Sequence, residues 1–201
     1  ALKLLRKFSA DIANGTLDWS DDVEISHATS QDIASWIDEL IVNTPVNITK
    51  RPHDMVLATD ASAWGWGAVI LDTSTGATRT AQQPWSDADK KWLNVGTSVH
   101  TEIEGVRRAL LRFIPPAKNL SIHVLSDNVA AVAALRAGYS PSFAINSTIS
   151  KITSEFPKAN LTAEHIAGTL QPADGLSRGV LSTSDPGESL RRVLGLQCPP
   201  K

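Results

Sequence analysis

The central part of the chain is predicted to be an α/β domain with a mixed five-stranded sheet, and three observations carry that prediction. Met55-Val-Leu-Ala-Thr-Asp60 is apolar almost throughout and ends in an acid, the pattern of a central strand covered on both faces. Two further strand patterns follow within a few residues, separated by turn residues. Beyond them, helical apolar stripes alternate with short strand patterns, giving the order βββαβααβα.

Each element has a local reason. Ser62 to Gly65 supplies turn residues, Trp66 to Leu71 reads as the second strand, Thr73 to Gly76 as a hairpin turn and Ala77 to Gln82 as the third strand. Thr101 to Ile114 is a helix stopped by Pro115-Pro116, Leu120 to Leu125 a strand, and Asn128 to Ala137 a helix that ends at Gly138. Phe143 to Glu155 is another helix, Leu161 to Ile166 the last strand, and Ala173 to Val180 at least a helical turn.

The flanks differ in character. Leu4, Leu5, Phe8 and Ile12 form a helical stripe closed by Asn14-Gly15. A second helix is expected from Thr29, with Asp32 completing a capping pair and Ile33, Trp36, Ile37 and Leu40 on one face. The apolar period is lost between Pro45 and Pro52, which sets the expected organisation: a helical segment over 1–50, the α/β domain over 51–181, and a loose tail with a short helix over 182–201. An opening on Ala1 in an apparent helix suggests a piece of a longer polypeptide.

Composition narrows the function classes. No stretch approaches the roughly 20 apolar residues that span a bilayer. The single cysteine, Cys198, rules out an internal disulfide and a cysteine-based zinc site, and suits an intracellular, reducing compartment. The net charge of −2 hides a division: residues 1–54 carry five Lys/Arg against nine Asp/Glu, whereas 55–181 carry eleven against ten. That is a modest surface for phosphate contact.

Four acids stand where packing alone would not put them. Asp60 shares a strand face with Val56 and Ala58. Glu102 lies on a helical stripe with Val106, Ala109, Leu110 and Phe113 and is expected to face inward. Glu104, about 200° further round the helix, is expected to point to solvent beside Arg107 and Arg108, so that its replacement by Gln should matter little. Asp127 and Asp174 each precede a helix, where an isolated acid would be read as a cap or a dipole partner. Taken together, four carboxylates at one end of one sheet would repel one another unless divalent cations neutralised them, and hard Mg²⁺ prefers such oxygen ligands.

Thr59-Asp-Ala-Ser-Ala-Trp-Gly-Trp-Gly-Ala-Val69, Thr101-Glu-Ile-Glu-Gly-Val-Arg-Arg-Ala-Leu110, Ser126-Asp-Asn128 and His165-Ile-Ala-Gly…Gln171-Pro-Ala-Asp-Gly-Leu-Ser-Arg178 resemble, in order, the four blocks of the ribonuclease H domain of retroelement reverse transcriptases. With Asp32-Ile-Ala-Ser-Trp36-Ile upstream, the resemblance is greatest to DIRS- or Ngaro-type elements. It implies a ribonuclease H-like fold, with three antiparallel strands, then two parallel, and helices on both faces. It also implies an endonuclease that cuts the RNA strand of RNA/DNA hybrids during reverse transcription. Two Mg²⁺ ions, replaceable by Mn²⁺, would be held by Asp60, Glu102, Asp127 and Asp174. His165 is the candidate for the family's catalytic histidine, and Ser62, Trp64, Asn128 and Arg178 are candidates for substrate contact. The partners implied are the hybrid and upstream polymerase domains of the same polyprotein, with residues 1–50 as a thumb or connection segment. Two departures stand out: Gln171 replaces the usual Asn, and the space between Gly138 and Phe143 leaves no room for a basic handle helix. The same fold would also serve an integrase- or transposase-type DNA nuclease, or a degenerate scaffold that binds nucleic acid without cutting it.

Overall fold

The computed structural model describes residues 8, 11–18, 20–42, 52–93, 98–180 and 185–196. Its contacts divide the chain into two units, Ala1–Lys50 and Arg51–Lys201. Most of the first predicted helix, the loop around Pro45 and Cys198 lie outside the described residues. In the first unit, residues 11–13 are helical and Gly15, at φ 69°, donates its N–H to the Ile12 carbonyl, so the turn after that helix is as expected. Helix α1, His27–Val42, begins earlier than predicted. Its cap is Ser26, whose Oγ accepts the Thr29 N–H at 3.2 Å, and not Thr29 itself.

The second unit carries the sheet. Strands β1 (Met55–Ala61), β2 (Gly65–Asp72), β3 (Thr78–Pro84), β4 (Ser121–Ser126) and β5 (Asn160–His165) lie in the order β3-β2-β1-β4-β5. β1 pairs antiparallel with β2, and β2 with β3, whereas β1 with β4 and β4 with β5 are parallel. This is the mixed sheet of the expected fold. The apolar run of β1 is explained by its place at the centre: Val56 to Asp60 are all buried.

Alternation along the strands feeds two cores. On one face Leu57, Ile70, Ile122, Val124 and Ala163 meet helices α3 (Ser98–Phe113), α4 (Val129–Ala137) and α5 (Phe143–Glu155). On the other, Val56, Ala58, Val69, Leu71 and Leu125 are covered by Ala173 and Leu176 near α6 (Asp174–Ser177) and by Leu190 of α7 (Pro186–Val193). The short helix expected within the tail, at Glu188 to Leu194, is this α7, and it packs on the sheet: Leu190 is fully buried and Asp185 caps the helix by accepting the Gly187 N–H at 2.9 Å. Gly138, at φ 61°, ends α4 as its position predicted.

Two elements among the described residues were not predicted, a 3-10 turn over Gly168–Leu170 and helix α2 (Asp87–Leu93). Helix α2 is capped reciprocally, Ser86 Oγ accepting from the Asp89 N–H and Asp89 Oδ2 from the Ser86 N–H, both at 3.1 Å. No helix among the described residues is long and apolar enough to cross a membrane.

Candidate metal centre

The C-terminal ends of the parallel strands β1 and β4 bring their acids to one place, the edge of an open α/β sheet where ligands characteristically bind. Asp60 is the sixth residue of β1, and Asp127 follows the last residue of β4 directly. Glu102 reaches the same point from the first face, one turn into α3, and its Oε1 accepts the Ala61 N–H at 3.3 Å. One carboxylate oxygen from each of Asp60, Glu102 and Asp127 lies within 4.8 Å of the others.

Asp127 is free to face the cluster because Asn128 does the capping: its Oδ1 accepts the Ala131 N–H at 3.0 Å. Gly168 keeps the approach open, since a Cβ there would stand 3.0 Å from Asp127 Oδ2. Asp174 is not in the tight group of three. Its carboxylate turns to Arg178, 2.7 Å away, although its charge is felt at Asp60. Ser177 joins the two segments, its hydroxyl facing both Asp60 Oδ2 and, at 2.9 Å, the Asp174 carbonyl.

The remaining predicted residues surround this centre. His165 Nε2 donates to the Asp127 carbonyl at 3.1 Å, which leaves Nδ1 as the basic atom of the neutral ring. Ser62 is committed to the turn, donating to the Ser177 carbonyl at 2.7 Å and accepting the Trp64 N–H at 3.0 Å. Trp64 is 38% exposed and leans on Gly179, where a Cβ would come 2.7 Å from the indole. Trp66 and Trp85 are buried, and Trp85 Nε1 donates to the Ser62 carbonyl, so neither belongs to an open surface. Arg107 and Arg108 are held internally by Glu104, Glu155 and Asp89.

Glu104 corrects the sequence expectation. It is fully buried, not solvent-facing, with Oε1 accepting from Arg107 at 3.0 Å and from Arg108 at 2.7 Å. The partners were legible from their spacing. The burial was not, because α2 and α5 bring Asp89 and Glu155 to the same arginines and close over that face of the helix.

The electrostatics are those of a site built for added positive charge. Burial, followed by Asp60 and Asp127, pushes the Glu102 carboxyl up to about 9. Burial also raises Asp60, against the Ser177 hydrogen bond, while Asp127 and Asp174 raise it further. Glu102 Oε2 is buried with no hydrogen-bond partner among the described residues; Glu104 Oε2 is too, but of the two only Glu102 lies among the converging acids. Hard oxygen donors, a buried orphan oxygen and mutual repulsion fit a divalent cation.

In EDTA, with no cation bound, the protonation of Glu102 makes stability depend on pH. A folded carboxyl near 9 keeps a proton that the unfolded chain releases near 4.5, so the folded state binds more protons and stability falls as pH rises between those values. His53 and His100, both lowered by burial, change stability only at or below the ordinary imidazole value of 6.5. Urea midpoints in EDTA should therefore drop between about pH 7 and pH 9, and the drop should be largely lost in Glu102→Gln. A midpoint that rises with pH across that window would contradict the placement of Glu102.

No protein-family model and no curated protein matches the chain. Among solved structures it is similar to LC11-RNase H1, isolated from compost by a metagenomic approach, at 19% identity over 65% of this chain and 100% of that one, with a TM-score of 0.45. The same protein in complex with an RNA/DNA hybrid matches at 21% over 63% and 95%, with a TM-score of 0.46. Prototype foamy virus protease-reverse transcriptase matches at 16% over 81% of this chain and 21% of that one, with a TM-score of 0.38.

Proposed function

We propose that this chain is the ribonuclease H part of a retroelement reverse transcriptase, an endonuclease that hydrolyses the RNA strand of RNA/DNA hybrids with two divalent cations. The observation that carries the reading is the convergence of Asp60, Glu102 and Asp127 within 4.8 Å, from a strand end, an inward helix face and a strand-to-helix junction. A structural cluster of buried acids would be matched by cations of the protein. Here Arg107 and Arg108 match the buried Glu104 and Arg178 pairs with Asp174 at the edge, but among the described residues no Lys or Arg forms an ion pair with Asp60, Glu102 or Asp127.

On this reading Asp60 would serve both cations, Glu102 and Asp127 one of them, and Asp174 the other. Bound Mg²⁺ or Mn²⁺ supplies a water activated for in-line attack and charge stabilisation at the leaving oxygen, which leaves a 5′-phosphate and a 3′-hydroxyl. The chain's own residues do the rest. His165, tethered through Nε2, offers Nδ1 for a proton beside Asp127. Trp64 and Arg178 present an exposed indole and guanidinium next to the acids, where sugar and phosphate contacts would fall. Asn128, also the α4 cap, would contact the ribose 2′-hydroxyl side of the hybrid, whereas the Ser62 hydroxyl is taken up by the turn after β1 and would act only by shaping it. With Arg107 and Arg108 taken up internally, firm binding would depend on polymerase domains upstream in the same polyprotein.

The test is a duplex panel with the full chain. End-labelled RNA/DNA should be cut within the RNA strand in Mg²⁺ or Mn²⁺, and RNA/RNA and DNA/DNA left intact, with no cleavage in EDTA. Cleavage of DNA/DNA alone would move the assignment to a DNA nuclease, and binding without cleavage of any duplex to a scaffold.

A further inference from the structure

The four-residue helix α6 is held on the sheet by more than its own length could secure. Gly67, opposite Asp60 in the β1–β2 register, leaves room for it: a Cβ there would come 2.5 Å from both Leu176 Cβ and the Ser177 nitrogen. Gln171 anchors the approach, its Nε2 donating to the Thr59 carbonyl at 3.0 Å and its Oε1 accepting the Ala173 N–H at 3.3 Å. Ser62 Oγ donates to the Ser177 carbonyl. In this cradle Ser177 is fully buried, and its one hydroxyl proton faces two acceptors, Asp60 Oδ2 and the Asp174 carbonyl three residues before it. A hydroxyl that merely ended a helix would have the carbonyl alone; here a carboxylate from the adjoining strand is the nearer partner.

We propose that Ser177 is a positioning residue for the acid cluster: its buried hydroxyl fixes the Asp60 carboxylate and ties it to the turn that carries Asp174. The proposal rests on the metal-dependent reading given above. An Asp side chain has two free torsions, and a charge-assisted hydrogen bond to one oxygen removes that freedom while leaving the other oxygen for a cation. Hydrogen-bond partners of ligating carboxylates characteristically hold metal affinity by about 10- to 100-fold.

The experiment compares the full wild-type chain with Ser177→Ala and Ser177→Cys, the second keeping the side-chain volume should the first fail to fold. MgCl₂ binding is measured by calorimetry, and hybrid hydrolysis across a Mg²⁺ series gives the half-activating concentration and, at saturating Mg²⁺, the KM for hybrid. Mg²⁺ affinity should weaken about 10-fold or more in both variants, with the KM for hybrid within about twofold of wild type. Mg²⁺ affinity within about twofold of wild type in a folded variant, even one with a lowered Tm, overturns the proposal and leaves Ser177 as a packing residue. A wild type that binds Mg²⁺ without cutting hybrid fails the nuclease reading alone, since calorimetry still decides on Ser177. A wild type that binds no Mg²⁺ overturns both.

Discussion

Asp60→Asn is expected to lower hybrid hydrolysis by about a thousandfold or more, because it removes charge from the position that both cations would share. Asp60 is 6% exposed and central to the cluster, with Glu102 and Asp127 on one side and Ser177 on the other. The amide keeps the shape and can still meet the Ser177 hydroxyl, so the fold should survive; with one buried carboxylate fewer, the variant in EDTA should be at least as stable as wild type. Rates are to be measured with contaminating nuclease excluded by a mock purification. Activity within about tenfold of wild type would remove Asp60 from the chemistry, since that corresponds to less than about 1.4 kcal/mol of barrier.

The second large effect separates two glutamates that lie two positions apart on α3. Glu102→Gln should abolish activity while leaving the EDTA-treated protein as stable as wild type at neutral pH and more stable towards pH 9, because the amide never takes on the charge that burial, and then Asp60 and Asp127, oppose at this position. Glu104→Gln should do the reverse. It takes one carboxylate from a buried network with Arg107 and Arg108, a loss of about 3 kcal/mol or more, which for a chain of this size lowers Tm by roughly 10 °C. Enzyme that remains folded should keep its activity, Glu104 being outside the cluster. Thermal melts and hydrolysis rates on both variants check this. A silent Glu104→Gln would show that the arginines are satisfied by Asp89 and Glu155 alone.

Glu102 was legible in the sequence and the burial of Glu104 was not. The apolar run of β1 and the stripe containing Glu102 are statements about one element against water, and periodicity reads those well. Gly138 and the Gly76 hairpin turn, both at positive φ, are equally local. Glu104 escaped because its burial depends on α2 and α5, elements far away or unforeseen. The signal for α2 was present as the Ser86/Asp89 capping pair, but only seven residues follow it and no long stripe marks them. The role of Ser177 was also open to reading as a hydroxyl three residues after Asp174. Its partner in β1, 117 positions away, was not, since that pairing is set by how the helix packs on Gly67.

The most direct measurement is anomalous scattering from crystals of the full chain soaked in MnCl₂, with a non-cleavable hybrid bound. One Mn²⁺ peak is expected bounded by the carboxylates of Asp60, Glu102 and Asp127, and a second near Asp60 and Asp174, both absent in Asp60→Asn. Ordered carboxylates at Asp60, Glu102 and Asp127 with no Mn²⁺ among them would contradict that expectation.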